Sequence, residues 1–196
     1  MKTLKKHALI LASLITFNTL SAQDNWFVEL RPGVNFATQD FEDAELKTGF
    51  GFEAVVGYRF MEHLGAYVGW GYNTFNTDDT SFAGEGDTDF DETGYTFGLQ
   101  FIHPLGMSEN LSYLIRIGGI YNHIEVENGA GDITADSGHG IGWEFGAGLN
   151  FDLGSNWNLR PQVGYRALSR DIEIGTTTTN VDLNYVSVAA GIAKVF

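Results

Sequence analysis

The stretch IGWEFGAGLNFDL, Ile141 to Leu153, alternates without interruption. Ile141, Trp143, Phe145, Ala147, Leu149, Phe151 and Leu153 fall on one parity, and Gly142, Glu144, Gly146, Gly148, Asn150 and Asp152 on the other. A period of two places successive side chains on opposite faces of a strand. The faces are unusual, however. A strand packed on the core of a water-soluble protein exposes lysine, threonine and glutamate, whereas the polar side here is mostly glycine with a single glutamate.

The same contrast recurs along the chain in eight segments: Trp26 to Phe36, Thr48 to Phe60, Leu64 to Asn73, Gly94 to Ile102, Leu111 to Ile124, Gly140 to Leu153, Trp157 to Arg170 and Val181 to Phe196. One parity is bulky and apolar, as in Phe50, Phe52, Val56 and Tyr58; the other is small with scattered charge, as in Gly51, Glu53, Gly57 and Arg59. A face that small cannot form the core of a soluble barrel, and a face that poor in charge is a weak water-facing exterior. It suits the narrow lumen of a closed, antiparallel eight-stranded transmembrane β-barrel, in which the apolar parity meets lipid. The competing fold, a lipocalin-like soluble barrel, needs the bulky parity inside and many Lys and Glu outside, and the outer parity does not supply them.

The connections sort by length. MEH, HPLGMSEN and GSN are short, while ATQDFEDAELK, TFNTDDTSFAGEGDTDFDE, EVENGAGDITADSGH and DIEIGTTTTN are longer. Short turns at one end and long loops at the other are the asymmetry of an outer-membrane barrel, with the turns in the periplasm and the loops outside the cell.

Lys2, Lys5 and Lys6 precede an apolar run from Ala8 to Phe17 and then NTLSA, the layout of a secretory signal peptide cleaved after Ala22. The expected domains are therefore the signal peptide at 1–22 and the barrel at 23–196. Removing the signal leaves 8 basic residues against 25 acidic, a formal charge of −17, which argues against nucleic acid as a partner. With no cysteine, neither disulfides nor thiolate metal sites are available.

In these features the chain resembles the small eight-stranded outer-membrane barrels of the outer membrane protein A transmembrane domain and OmpX type. The last strand adds to the resemblance: Phe196 is terminal, and Val186, Val188, Ala190, Ile192 and Lys194 precede it at every second place. The resemblance implies that Phe196 is an assembly signal read by the barrel-assembly machinery, and that the surroundings are outer-membrane lipid and lipopolysaccharide in a Gram-negative-type cell. Lys194 departs from the usual apolar residue, although a lysine near an interface can snorkel. The fold hosts adhesins, structural proteins, narrow pores and lipid-modifying enzymes, so it does not choose among them.

The residues expected to carry chemistry lie mostly in the lumen. Glu29, Arg31, Glu53, Arg116, Glu144 and Arg166 share the inward parity and are expected to form an ion-pair network that closes it. If GSN is a three-residue turn, Leu153 faces Trp157, and the same register sets Glu144 opposite Arg166, Asn150 opposite Arg160 and Phe151 opposite Leu159.

Outside the lumen, Asp87, Asp89 and Asp91 alternate within an acidic loop and are the only candidates for a metal. An EF-hand requires glycine at its sixth position, where Glu92 stands, so a solvated acidic loop is the expectation. Ser137, His139 and Glu144 are the only close serine, histidine and carboxylate set. Some lipid A deacylases are barrels with such a triad, but here the order is reversed and Glu144 points to the lumen. His63 and His103 read as interfacial residues at the short turns. The expectation is thus a monomeric, non-enzymatic barrel without cofactors that has a structural or surface-interaction role through its acidic loops, with a narrow pore and a lipid-modifying enzyme as the alternatives.

Overall fold

The computed structural model describes residues 25–39, 46–77, 88–106, 110–128, 130–174 and 177–196. The export segment expected at 1–22 and Asp87 lie outside them. Nine strands are present among the described residues: β1 (Trp26–Ala37), β2 (Gly49–Arg59), β3 (Leu64–Thr77), β4 (Thr88–Pro104), β5 (Leu111–Glu127), β6 (Ile133–Asp136), β7 (Gly140–Gly154), β8 (Trp157–Ile174) and β9 (Thr177–Val195). Each long strand pairs antiparallel with its neighbours, β5 pairs with β7, and β9 returns to β1. The result is a closed eight-stranded barrel. Closure matters because a backbone donor or acceptor left at an open edge has no water to bond in a bilayer. The seam is finished by the two chain ends, where Phe196 N–H donates to Trp26 O at 2.8 Å and Trp26 N–H to Phe196 O at 3.3 Å.

The strand outside the eight-stranded wall, β6, is short and lies at the rim. β6 pairs with the end of β5 through Glu125↔Asp136, Val126↔Ala135 and Glu127↔Ile133, with a bulge between Val126 and Glu127. β7 takes over the same edge of β5 from Asn122↔Gly140 downward. β6 and β7 thus act as one strand interrupted at Ser137 to His139. Ser137 bridges the gap: its N–H donates to Ile124 O at 3.0 Å and its Oγ accepts from Ile124 N–H at 2.8 Å.

Several loops expected from the sequence are shorter than their composition suggests. Much of TFNTDDTSFAGEGDTDFDE is ladder, since β3 runs on to Thr77 and β4 starts at Thr88. DIEIGTTTTN is almost wholly a hairpin, paired from Asp171↔Asn180 to Ile174↔Thr177. Loop-like residues are held in strands here because the ladder continues past the wall and the inward Phe75, Phe90 and Ile172 pack against one another. At the opposite end the GSN turn is tighter than expected. Gly154 pairs with Trp157, so Leu153 does not face it, and the register shifts between Asp152 and Gly154. Ser155 and Asn156 form the turn with φ of 52° and 63°, and Gly154 has φ of 84°. Consecutive positive φ values match the right-handed twist of a hairpin, and glycine takes its share without steric cost.

Between the two rims the outward face is apolar. Ile141 is 76% exposed, Ile117 61% and Val68 60%, values that are explained by contact with lipid chains. Aromatic pairs edge the band: Trp26 with Tyr58 (4.9 Å between ring centroids) and Phe101 with Tyr113 (5.9 Å) near the turn end, and Trp143 with Tyr165 (5.5 Å) toward the loop end. Such amphipathic rings favour the headgroup level. Lys194 reaches past the ring of Trp157 (5.4 Å) to donate to Ser155 O at 2.6 Å, so its charge leaves the apolar wall.

Candidate functional site: the filled lumen

Inward residues come from every wall strand, and glycine decides where the large ones fit. A Cβ on Gly69 would lie 2.8 Å from Thr96 Oγ1 and 3.0 Å from Glu53 Oε1, and one on Gly191 would collide with the Glu29 carboxylate. The glycines of the small parity therefore leave space for charged side chains from neighbouring strands.

Four carboxylates and four guanidinium groups occupy the middle of the barrel, all of them buried: Glu29, Glu53, Glu92, Glu144, Arg31, Arg116, Arg160 and Arg166. Glu29 Oε2 accepts from Arg116 Nη2 at 2.6 Å and Arg160 Nη1 at 2.7 Å. Glu53 Oε2 accepts from Arg31 Nη2 at 2.7 Å and also from Arg166, while its Oε1 accepts from Thr96 at 2.8 Å. Glu144 faces Arg166 in the β7–β8 ladder, takes its Nε–H at 2.9 Å and accepts from the Tyr67 hydroxyl at 2.6 Å. The polar neighbours complete the set. Gln162 accepts from Arg31 at 3.0 Å, Gln100 accepts from Arg116 at 3.1 Å, and Asn150 accepts from Arg160 Nε at 2.8 Å. Arg116 also lies 5.3 Å from the Tyr67 ring centroid, and Arg160 4.8 Å from that of Phe27.

All six residues expected in the lumen are therefore brought together, though not all with each other. Arg116 belongs to Glu29 rather than to Glu144, and Glu53 is the group that shares Arg166. Sequence reading omitted Arg160 and Glu92 from the network. Arg160 was legible, since it has the parity of Arg166 and stands opposite Asn150. Glu92 fell in a presumed loop, yet it is inward on β4 and accepts from Asn73 (3.1 Å), Asn122 and Tyr185.

Above this layer the lumen changes character. Phe75, Phe90, Ile120, Ile124, Val126, Ala135, Leu168, Ile172, Leu183 and Tyr185 form one buried cluster at the loop end, with Leu46 packed against it. An apolar stopper thus sits above an ionic floor, with Arg170 buried at its edge and donating to Asn122. A smaller apolar group of Phe27, Val55 and Tyr67, with Val195 packed on it, lies lower in the barrel. Between these groups remains a cavity of ≈ 60 Å³ lined by residues such as Arg31, Glu53, Arg116 and Arg166, enough for a few waters. A polar vestibule of ≈ 380 Å³ opens at the turn end among Arg59, His63, Gln100, Asp152 and Arg160.

The other sequence candidates are separated. Ser137 Oγ donates to Gly138 O at 2.9 Å, and His139 stacks on His123 (4.4 Å) beside Tyr121 (5.1 Å). Glu144 is on the opposite face of the wall, so the structure does not assemble a triad from the three. Asp89 and Asp91 belong to β4 rather than to a loop. His63 and His103 lie with ring centroids 4.5 Å apart, tilted at 50°, beside Phe101 at the turn end.

The comparisons with known proteins agree with this architecture. Neisserial surface protein A is similar in fold, with a TM-score of 0.58 at 18% identity over 87% of this chain and 97% of that one. The outer membrane protein OprG from Pseudomonas aeruginosa gives 0.54 at 15% over 86% and 95%, and the outer membrane protein AlkL 0.51 at 16% over 92% and 95%. No curated protein matches the sequence. The outer membrane protein beta-barrel domain family, in contrast, matches residues 9–193, nearly the whole length. A closed eight-stranded wall with an apolar exterior and a buried ionic interior, together with that match, places this chain in the outer membrane β-barrel family and hence in the outer membrane.

Proposed function

We propose that the protein is a non-enzymatic, non-conducting outer-membrane barrel with a structural or surface-interaction role, the acidic strand extensions and loops at its loop end facing outward from the cell and its short turns facing the periplasm. The observation that carries this reading is the double closure of the lumen. A pore needs a continuous water path, and both the ionic layer around Glu29, Glu53 and Arg166 and the apolar cluster around Phe90 and Ile124 interrupt it. What remains available to partners is the outer rim, where Asp89, Glu125, Glu127 and Asp136 concentrate negative charge on β4, β5 and β6.

Two measurements test the reading. Purified barrel in planar bilayers is expected to give no steady single-channel current; large, stable steps would promote the pore. An epitope tag inserted at Gly86 is expected to be reached by antibody on intact cells. Reach only after the outer membrane is broken would invert the orientation. A changed lipid A acyl pattern in cells lacking the gene would favour a lipid-modifying enzyme instead.

A further inference from the structure

The outward face of β5 and β6, just beyond the lipid-facing band, carries a group of side chains that neither the lumen nor the ladder uses. His123 and Glu125 are two residues apart on β5 and so point the same way, and Asp136 on β6 is the ladder partner of Glu125. His123 Nδ1 lies 3.1 Å from Asp136 Oδ1 and 3.9 Å from Glu125 Oε1, and one potential ligand atom from each of the three residues falls within 4.8 Å of the others. A tetrahedral Zn²⁺ site with metal to N and O distances of about 2.0–2.2 Å separates its donor atoms by roughly 3.3 Å. The three atoms thus lie close to that spacing, with Asp136 Oδ1 also accepting from Gly138 N–H at 2.7 Å.

A second feature adds negative charge beside this group. Asp91 stands opposite Glu125 on the neighbouring strand and is only 6% exposed. The Tyr72 hydroxyl donates to its Oδ2 at 2.6 Å, but its buried Oδ1 has no hydrogen-bond partner among the described residues. Burying a carboxylate oxygen without a partner is costly, and a neighbouring cation offsets the cost.

We propose that His123, Glu125 and Asp136 bind a divalent transition-metal ion of the Zn²⁺ type at the loop rim, with Asp91 supplying further negative charge. One imidazole and two carboxylates form a mixed nitrogen and oxygen set, which suits zinc better than the all-oxygen shell of calcium or magnesium. His139, stacked on His123, holds that ring in place from its other side. A bound ion fastens β6 to β5 where the ladder is only three pairs long and bulged.

The test is isothermal titration of ZnCl₂ into the full barrel folded in detergent, with folding of each variant verified by its heat-modifiable gel migration. One ion per chain is expected, with affinity reduced at least about tenfold in His123→Ala and in Asp136→Asn. Affinity is expected to stay unchanged in His63→Ala, which removes the other close histidine pair. Independently of how the rim variants fold, the intact protein supplies a second reading: Zn²⁺ should shift the His123 side-chain NMR resonances and leave those of His63 in place. No saturable uptake, uptake that survives His123→Ala, uptake lost in His63→Ala, or equal affinity for CaCl₂ would each overturn the assignment.

Discussion

The two halves of the lumen solve the same problem by different physics. Both must fill a space that an eight-stranded wall leaves barely wide enough for side chains. The middle is filled by four carboxylates and four guanidinium groups whose charges balance and whose contacts are directional, such as Glu29 with Arg116 and Arg160. The loop end is filled by Phe75, Phe90, Ile124, Leu168 and Leu183, whose contacts have no preferred direction. Directional contacts fix strand register, because a slip by one residue sends every charge into lipid. Apolar contacts tolerate small changes of shape but demand volume. The ionic layer is therefore expected to respond to loss of a partner, and the stopper to loss of bulk.

The sharpest way to break this comparison is Glu29→Gln. The substitution keeps the shape and removes the charge, leaving Arg116 and Arg160 buried without their shared carboxylate. Breaking a buried pair in this way costs about 3–5 kcal/mol. Urea unfolding of the barrel in lipid vesicles, followed by tryptophan fluorescence, should show a loss of that order; a change near zero would mean that water in the vestibule already screens Glu29.

Next in size is the coupling between Glu144 and Arg166. Arg166→Ala removes the guanidinium from Glu144 while Glu53 keeps Arg31, whereas Glu144→Ala leaves Arg166 with Glu53. The arginine variant is thus expected to be the weaker of the two. The double variant should be more stable than the sum of the single losses predicts, with a coupling of about 0.5–3 kcal/mol. Strict additivity would dissolve the pair as an energetic unit.

How far these halves could be read from sequence differs for the same reason that they differ physically. The ionic layer was legible because charge on a glycine-rich parity is conspicuous, and the register that sets Glu144 opposite Arg166 follows from the hairpin between β7 and β8. The structure keeps that register although the turn itself is tighter than expected, because the bulge at Gly154 absorbs the missing residue. The stopper was not legible. Phe75, Phe90 and Ile172 lie in stretches rich in Asn, Asp, Thr and Gly that read as loops, and parity has no meaning until a stretch is known to be a strand. The rim group of His123, Glu125 and Asp136 was hidden likewise, since β6 is four residues long and its pairing with β5 is non-local.

The smallest effect bears on the stopper alone. Ile124 is fully buried between Asn122 and Val126 on the inward face of β5, within the apolar cluster, and the Asn122 amide is already engaged with Glu92 and Arg170. Ile124→Val removes one methylene's worth of packing, keeps the β-branched shape that suits a strand, and introduces no polar atom. If the stopper works through volume, the cost should be about 0.5–1.5 kcal/mol, the range for that change in a packed core. The matched polar change is Ile124→Thr, similar in shape to valine but carrying a hydroxyl. With no partner offered by Phe90, Leu168 or Ile172, that hydroxyl should cost about 1–3 kcal/mol more than valine does. The same urea titration reads both variants. Equal losses for valine and threonine would mean that water reaches Ile124 from the loop end, and the upper lumen would then have to be redrawn as a second vestibule rather than a dry seal.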